Sequence, residues 1–328
     1  MNKKSMIKAR NVVVTIGIPA IIFLILAIAQ SDKVDISTLG NMMVQAIVPA
    51  ILAWGVCFDI KVGNWDFSVG ATVLIASILG GNIAKLLNLG IGGVIVCCIL
   101  VGLGSAVLIG TIFRALKIPT IIVTIGMMLI IESICGMIFD GAGVMLPQNW
   151  VVLGNPLFKV VIGIIVFFVA YYLYNFRKLG YQVRAVGNGP SVARLNGIDV
   201  YKVKFLCIVV AGFFAGCYAF MNIGATGVAK TVSSMGTMGT VFDAMMCVFV
   251  GMALANFTNL IIGVYVGSVI MQIIKLLLML SGFPSMYNQV VIAVFVLVFM
   301  AVSSRSDVWK KLFGKKRREA AALESRQT

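Results

Sequence analysis

Few residues in this chain can do chemistry, and their setting narrows what that chemistry is. Glu132, Asp243 and Lys275 fall inside long apolar stretches. An ionisable side chain in a bilayer costs at least about 2.5–3.5 kcal/mol, so it faces a cavity or a partner. Two readings stay open: these residues line a polar pathway, or Glu132 or Asp243 pairs with Lys275. A second polar group is continuous, the stretch Phe58-Asp59-Ile60-Lys61-Val62-Gly63-Asn64-Trp65-Asp66-Phe67-Ser68-Val69-Gly70, with three charges and two glycines between apolar runs. Asp66 suits the start of a helix, where its carboxylate would accept from the backbone N–H of Ser68 or Val69. Irregular polar backbone at membrane depth survives only where protein or a water-filled path surrounds it. The stretch is therefore either a cytoplasmic loop or a partly re-entrant segment lining a solute route.

The missing residues exclude whole classes of reaction. The chain has no histidine, which removes Ser-His-Asp and Cys-His catalysis and imidazole-bound zinc. The seven cysteines lie in or at the ends of apolar stretches without a C-x-x-C pair, and they read as small hydrophobes. No G-x-x-x-x-G-K-S/T occurs, so ATP cannot be cradled in the P-loop manner. No catalytic residue, metal ligand or cofactor is expected. If transport is driven by ATP, another chain hydrolyses it.

The elements that must position these residues follow from composition. Of 328 residues, 61% are apolar and only 11% are charged, whereas soluble domains run about 25% charged. The fold class is all-α, a polytopic membrane protein of about ten transmembrane helices. Apolar runs place the spans near 12–30, 39–57, 67–85, 91–113, 119–138, 158–175, 205–222, 241–256, 258–280 and 286–302. The first run is longer than a signal-peptide core of about 7–15 residues, so it reads as a retained helix. Residues 1–302 form one membrane domain, and 303–328 a basic cytoplasmic tail.

The net charge of +15 is not spread evenly. Twenty of the 26 Lys and Arg fall in the first eleven residues, at Arg114 and Lys117, in 176–204, and in the tail from 303. Ten spans from an inside N-terminus put all four clusters on one face, which the positive-inside rule makes the cytoplasm. Both termini are then cytoplasmic in a multi-pass cell (inner) membrane protein. The charge reads as topology and contact with anionic lipid, not nucleic-acid binding. Within the bilayer, Gly212-x-x-x-Gly216 and Gly263-x-x-x-Gly267 suit close helix contacts. Pro19 and Pro49 would kink their spans.

The loop 176–204 predicts a short helix of its own. Pro190 fits a first helical position with Asn188 or Gly189 before it, Ser191–Asn196 continue for about two turns, and Gly197 fits a left-handed stop.

Several of these residues carry a resemblance. Gly63-Asn64-Trp65-Asp66-Phe67-Ser68-Val69-Gly70 resembles the G-G-I-D-L-S-V-G segment of ABC-importer permeases for simple sugars, the ribose/xylose/galactose type. Lys117-Ile118-Pro119 through Thr124-Ile125-Gly126-Met127-Met128 resembles the family's K-V/I-P…T-L-G-M-M stretch. Gly180-Tyr181, Arg184-Ala185-Val186-Gly187-Asn188, Ala193-Arg194-Leu195, Gly197-Ile198 and Lys204 follow its cytoplasmic-loop pattern. The resemblance implies one permease subunit of an ATP-binding-cassette importer, paired with a second permease chain as homo- or heterodimer. A cytoplasmic ATPase and an extracytoplasmic solute-binding protein would be its partners, with a monosaccharide or similar small polar solute as cargo. Permeases for nucleosides or branched-chain amino acids, or an ion-coupled secondary transporter, are the alternatives.

On this reading Gln45, Asn64, Trp65, Asp66, Ser68, Glu132 and Asp243 are the solute-pathway candidates. Arg184, Gly187, Asn188, Ala193, Arg194, Gly197 and Ile198 are the ATPase-coupling candidates, with Val192, Ala193, Leu195 and Ile198 supplying apolar docking contacts. The chain departs from the family pattern at Asn64-Trp65, at Glu132 where arginine is frequent, and in 239–256, where Val241 stands at a glutamate position.

Overall fold

The computed structural model describes residues 36–255 and 257–281, with isolated positions between 17 and 24 and between 290 and 297. The expected first and tenth spans and the basic tail lie outside the continuously described residues. Eleven α-helices follow among the described residues. They are α1 (Ile36–Gln45), α2 (Ile47–Lys61), α3 (Ser68–Leu86), α4 (Gly90–Leu116), α5 (Thr120–Met137), α6 (Pro156–Asn175), α7 (Lys178–Asn188), α8 (Pro190–Leu195), α9 (Val200–Thr226), α10 (Met238–Leu254) and α11 (Leu260–Leu280). Two short strands, β1 (Val144–Met145) and β2 (Val228–Ala229), pair antiparallel.

The all-α polytopic expectation holds. Seven helical stretches are long and apolar enough to cross a bilayer. An eighth, α10, has only 17 residues. Each of the eight middle spans read from the sequence thus has its helix. The count of ten remains approximate, because two of its members lie outside the described residues.

One crossing is broken. Thr38–Lys61 is apolar throughout, yet it divides into α1 and α2 at Ala46. Pro49 is the cause: it offers no N–H to the carbonyl of Gln45, and its ring crowds that carbonyl. The chain passes the break with Ala46 N–H donating to Met42 at 2.8 Å and Ala50 N–H donating to Ala46 at 3.1 Å.

Burial sorts the helices into layers. The α2, α3, α9 and α11 crossings are 61–67% buried, whereas α4 and α6 are 22% buried. Exposed Val96, Leu100 and Val107 on α4, with Val161, Ile165 and Phe168 on α6, present apolar faces suited to lipid. Between layers, glycine sets the approach. A Cβ on Gly216 of α9 would stand 2.7 Å from the carbonyl oxygen of Cys98 on α4, and one on Gly263 of α11 would stand 2.7 Å from that of Gly251 on α10. Both small-residue repeats expected from the sequence are therefore helix contacts. The seven cysteines are free thiols, six of them buried, as small hydrophobes would be.

Cross-links between connections define two faces. Asn64 Nδ2, after α2, donates to the carbonyl of Lys204 near the start of α9, and Thr120 Oγ1, at the start of α5, donates to Asn64 Oδ1. Asn259 Nδ2 donates to Asn175 Oδ1 at 2.8 Å, joining the ends of α6 and α11. The β1–β2 pair joins connections at the opposite ends of α5 and α9. Arg114, Lys117 and the basic segment 176–204 share the first of these faces, hereafter the basic face.

The glycine contacts give a test. Gly216→Val should overpack the α4–α9 seam and cost about 1–3 kcal/mol. Gly104→Val, at a position with nothing within 4 Å of an added Cβ, should cost little. Thermal melts of the detergent-solubilised protein should show a lowered midpoint for the first variant only.

Candidate functional site

The connection on the basic face carries two helices where the sequence predicts one. The expected helix is α8. It begins at Pro190 and closes with Gly197 at φ 74°. Gly197 N–H donates to Arg194 at 2.9 Å and Ile198 N–H to Ala193 at 3.0 Å, the paired bonds of a Schellman stop. Asp199 then opens α9, its side chain accepting from Lys202 N–H at 3.1 Å. The unexpected helix is α7, which ends at Asn188, so that residue finishes one helix instead of capping the next. Gly180 and Gly187 disguise α7 as a loop. Each is there for close approach: an added Cβ would collide with the carbonyl of Tyr174 or of Lys61. Val183 and Val186 are fully buried beneath it.

The coupling candidates divide by this geometry. Leu195 is 88% and Val192 63% exposed among the described residues, and both project from α8. Ala193 is buried against its own chain, and Ile198 packs partly buried against the core, so those two are not free docking contacts. Arg184 is held at home. Its guanidinium donates to the carbonyl of Tyr174 at 3.3 Å and lies over the rings of Tyr174 and Tyr181. Arg194 lies over Tyr201 at 5.8 Å. Gly187 and Asn188 are exposed at the end of α7.

The pathway candidates do not converge. Asn64 and Asp66 are buried in the six-residue link between α2 and α3, and Ser68 is buried as the first residue of α3. Asn64 Nδ2 donates to Asp59 Oδ1 at 3.1 Å and to the carbonyl of Lys204 at 3.3 Å. Its Oδ1 accepts from Thr120 at 3.1 Å. Asp66 accepts the N–H of Ser68 at 2.9 Å, the start-of-helix bond read from sequence, and also the Ser68 hydroxyl. Burial pushes the Asp66 carboxyl up to about 6, against the hydrogen bonds from Ser68 and Val69, which pull it down. These side chains hold each other. Trp65 alone turns outward, 47% exposed, with its ring 6.1 Å from that of Phe249 on α10. Thr124 of α5 fixes this link by donating to the carbonyl of Trp65 at 3.1 Å and accepting from Phe67 N–H at 3.3 Å.

Glu132 has a separate role. It is buried, and its oxygens accept from Met235 N–H and Thr237 N–H, each at 2.9 Å, and from the Thr237 hydroxyl at 2.6 Å. Thr237 immediately precedes α10, so the carboxylate closes the unsatisfied start of that helix from a neighbouring one. Glu132 does not meet Lys275.

Lys275 pairs with Asp243 at 2.7 Å. Both line a polar cavity of about 350 Å³, with Gln45, Lys159, Tyr218, Thr240 and Gln272 and the α2 residues Val48, Pro49 and Leu52. The volume sits at the lower end of small-molecule sites, roughly 300–1,000 Å³. Gln45 and Asp243 are thus brought together, and the α1–α2 break opens beside them. Lys159, Tyr218 and Gln272 were not singled out in the sequence. Their signal was a polar group in an apolar run, the same that marked Asp243. A larger cavity of about 400 Å³, lined by Met43, Trp54, Phe167 and Tyr265 among others, is almost wholly apolar and offers a polar solute little.

Residues 38–300 match the family model described as branched-chain amino acid transport system, permease component. The chain is 28% identical to the ribose import permease protein of Escherichia coli K12, over 83% of this chain and 87% of the relative. It is 22% identical to the galactose/methyl galactoside import permease protein of Haemophilus influenzae, over 89% and 94%. It is 23% identical to the L-arabinose ABC transporter permease protein of Azospirillum brasilense, over 83% and 81%. No solved structure matches the chain.

Removing the Glu132 carboxylate should strand three donors at the start of α10. Glu132→Ala should destabilise by at least about 1–3 kcal/mol, the cost of an unsatisfied buried group. Limited proteolysis should then cut 227–237 faster, and Glu132→Gln, which keeps one acceptor, should lose less.

Proposed function

We propose a function from one premise: this chain belongs to the family of permease components of branched-chain amino acid transport systems. It is the membrane-spanning permease subunit of an ATP-binding-cassette importer, and its solute is a monosaccharide or a similar small polyhydroxylated molecule. The observation that carries this reading is the agreement of relatives, import permeases for ribose, galactose and arabinose that align over more than four-fifths of the chain. An amino-acid solute is the second reading, favoured by the description of the family itself.

The basic face is the cytoplasmic one, where positive charge accumulates near span ends. Both termini lie on that side of the cell membrane. A cytoplasmic ATPase grips α7 and α8. Exposed Leu195 and Val192 supply the docking energy, since covering such a side chain is worth roughly 1.5–3 kcal/mol. The arginines contribute less, because Arg184 is already engaged by its own chain. Rigid ends make α8 a lever: the Schellman stop fixes one end and Pro190 the other, and α9 begins four residues later.

On the opposite face an extracytoplasmic binding protein delivers the solute. The polar cavity lies on its route, between this chain's outer half and a second permease chain. Gln45, Thr240, Tyr218 and Gln272 offer donors and acceptors for hydroxyls, and Asp243–Lys275 supplies fixed charge. Trp65 presents a ring on which a sugar face stacks nearer the cytoplasm. Asn64, Asp66 and Ser68 position Trp65 and do not touch the solute. Binding along this route is weak by necessity, since a tight site would trap its cargo. No bond is made or broken in the solute.

Val192→Asp with Leu195→Asp should release the ATPase. Co-purification should fall at least tenfold, and ATP-dependent uptake of labelled pentoses and hexoses into proteoliposomes should drop to background, with unchanged amounts of permease in the membrane. Uptake that persists without any ATPase would overturn the reading.

A further inference from the structure

Asp59, in the last turn of α2, is left half satisfied. Its side chain is fully buried. Oδ1 accepts from Asn64 at 3.1 Å, but Oδ2 has no hydrogen-bond partner, alone in this among the buried side-chain oxygens and nitrogens of the described residues. A buried carboxylate oxygen without a donor is costly. Buried polar groups are otherwise almost always paired, so an exception points to a second state or to function.

The compensating charge that acts on Asp59 is Lys204 on α9. Its backbone is already tied to the cluster through Asn64, and its ammonium is attracted to Asp59 and repelled by Arg194. Among the described residues it forms no salt bridge. Its side chain instead lines a cavity of about 300 Å³ together with Pro190 and Arg194 of α8, Tyr201 of α9, and Lys117 and Thr120 across the cleft. The α8 lever therefore borders an open space that is also lined by Lys204, a cation whose charge acts on Asp59.

We propose that Asp59 and Lys204 form a state-dependent ion pair, apart in this conformation and closed when α8 is pressed into the cavity between it and α9. The two are positioning residues for transport and touch no solute. Pressing α8 inward moves the start of α9 and carries the Lys204 ammonium onto Asp59 Oδ2. The push then reaches α2, whose other end bears Val48, Pro49 and Leu52 on the polar cavity. One helix thereby joins the gripped face to the solute route.

The inference rests on the proposed coupling to an ATPase, and its test separates the two. In the intact permease–ATPase complex, reconstituted in proteoliposomes, solute imported and ATP hydrolysed are measured together. Lys204→Met should cut uptake at least tenfold while hydrolysis stays within twofold, an uncoupling that mere misfolding would not give. Lys204→Arg should restore coupling. Asp59→Asn should match Lys204→Met, and the double variant should be no worse than either. Should Asp59→Asn fail to fold, the Met and Arg variants at Lys204 decide alone. An unchanged ratio of uptake to hydrolysis in Lys204→Met, or an Arg variant no better than Met, would overturn the pair. Wild-type uptake that needs no ATP would instead overturn the importer reading beneath it.

Discussion

A polar group within a bilayer has no water to turn to, so each must find its partner in the chain. The arrangement of this protein follows from where its few polar groups meet. Asn64 is the clearest case. One amide joins the end of α2, the start of α5 and the start of α9, using both its donor and its acceptor sides. Glu132 performs the corresponding task on the opposite face, holding the start of α10 against α5. Between these two knots, apart from the Asp243–Lys275 pair and the Trp54 N–H donated to Ile261, the helices contact mainly through glycine and apolar side chains, which provide closeness but little direction. Direction comes from the knots.

That division explains which parts of the molecule were legible in the sequence. Span positions follow from apolar runs alone, and the eight middle ones match helices. Gly197 and Pro190 announced α8 through backbone chemistry that any reader of caps can apply. Pro49 announced a break and delivered one, at Ala46. What was hidden depended on tertiary company. Gly180 and Gly187 weaken α7 as a sequence signal, yet the neighbouring carbonyls leave no room for larger residues there. Likewise Asn64, Asp66 and Ser68 look like hydroxyl-binding groups in a list of residues. Only the fold shows them turned toward one another, leaving Trp65 as the exposed member. Glu132 and Asp243 looked alike in sequence, two acids in apolar runs. One closes a helix and the other faces a cavity beside Lys275, and no local pattern distinguishes these fates.

The long helices also carry position from one face to the other. α2 reaches from the polar cavity to Asp59, and α9 from Tyr218 in that cavity to the cleft beside α8. Motion at the proposed docking face would have two continuous rods along which to travel. The break at Ala46 sets where the first rod ends, so α1 lies beyond the stiff part and need not follow it. The ring contacts of buried Trp54, midway along α2, with half-buried Phe167 and Tyr265 brace α2 against α6 and α11, a natural fulcrum for a tilt.

The brevity of α10 has a consequence for its neighbours. Seventeen residues rise only about 25 Å, short of a hydrocarbon core of roughly 30 Å. Phe242 is its one exposed residue, so packed protein takes up the shortfall where a lipid-facing helix would make acyl chains adjust. The helix that bears Asp243 is thereby insulated from the thickness of its host bilayer.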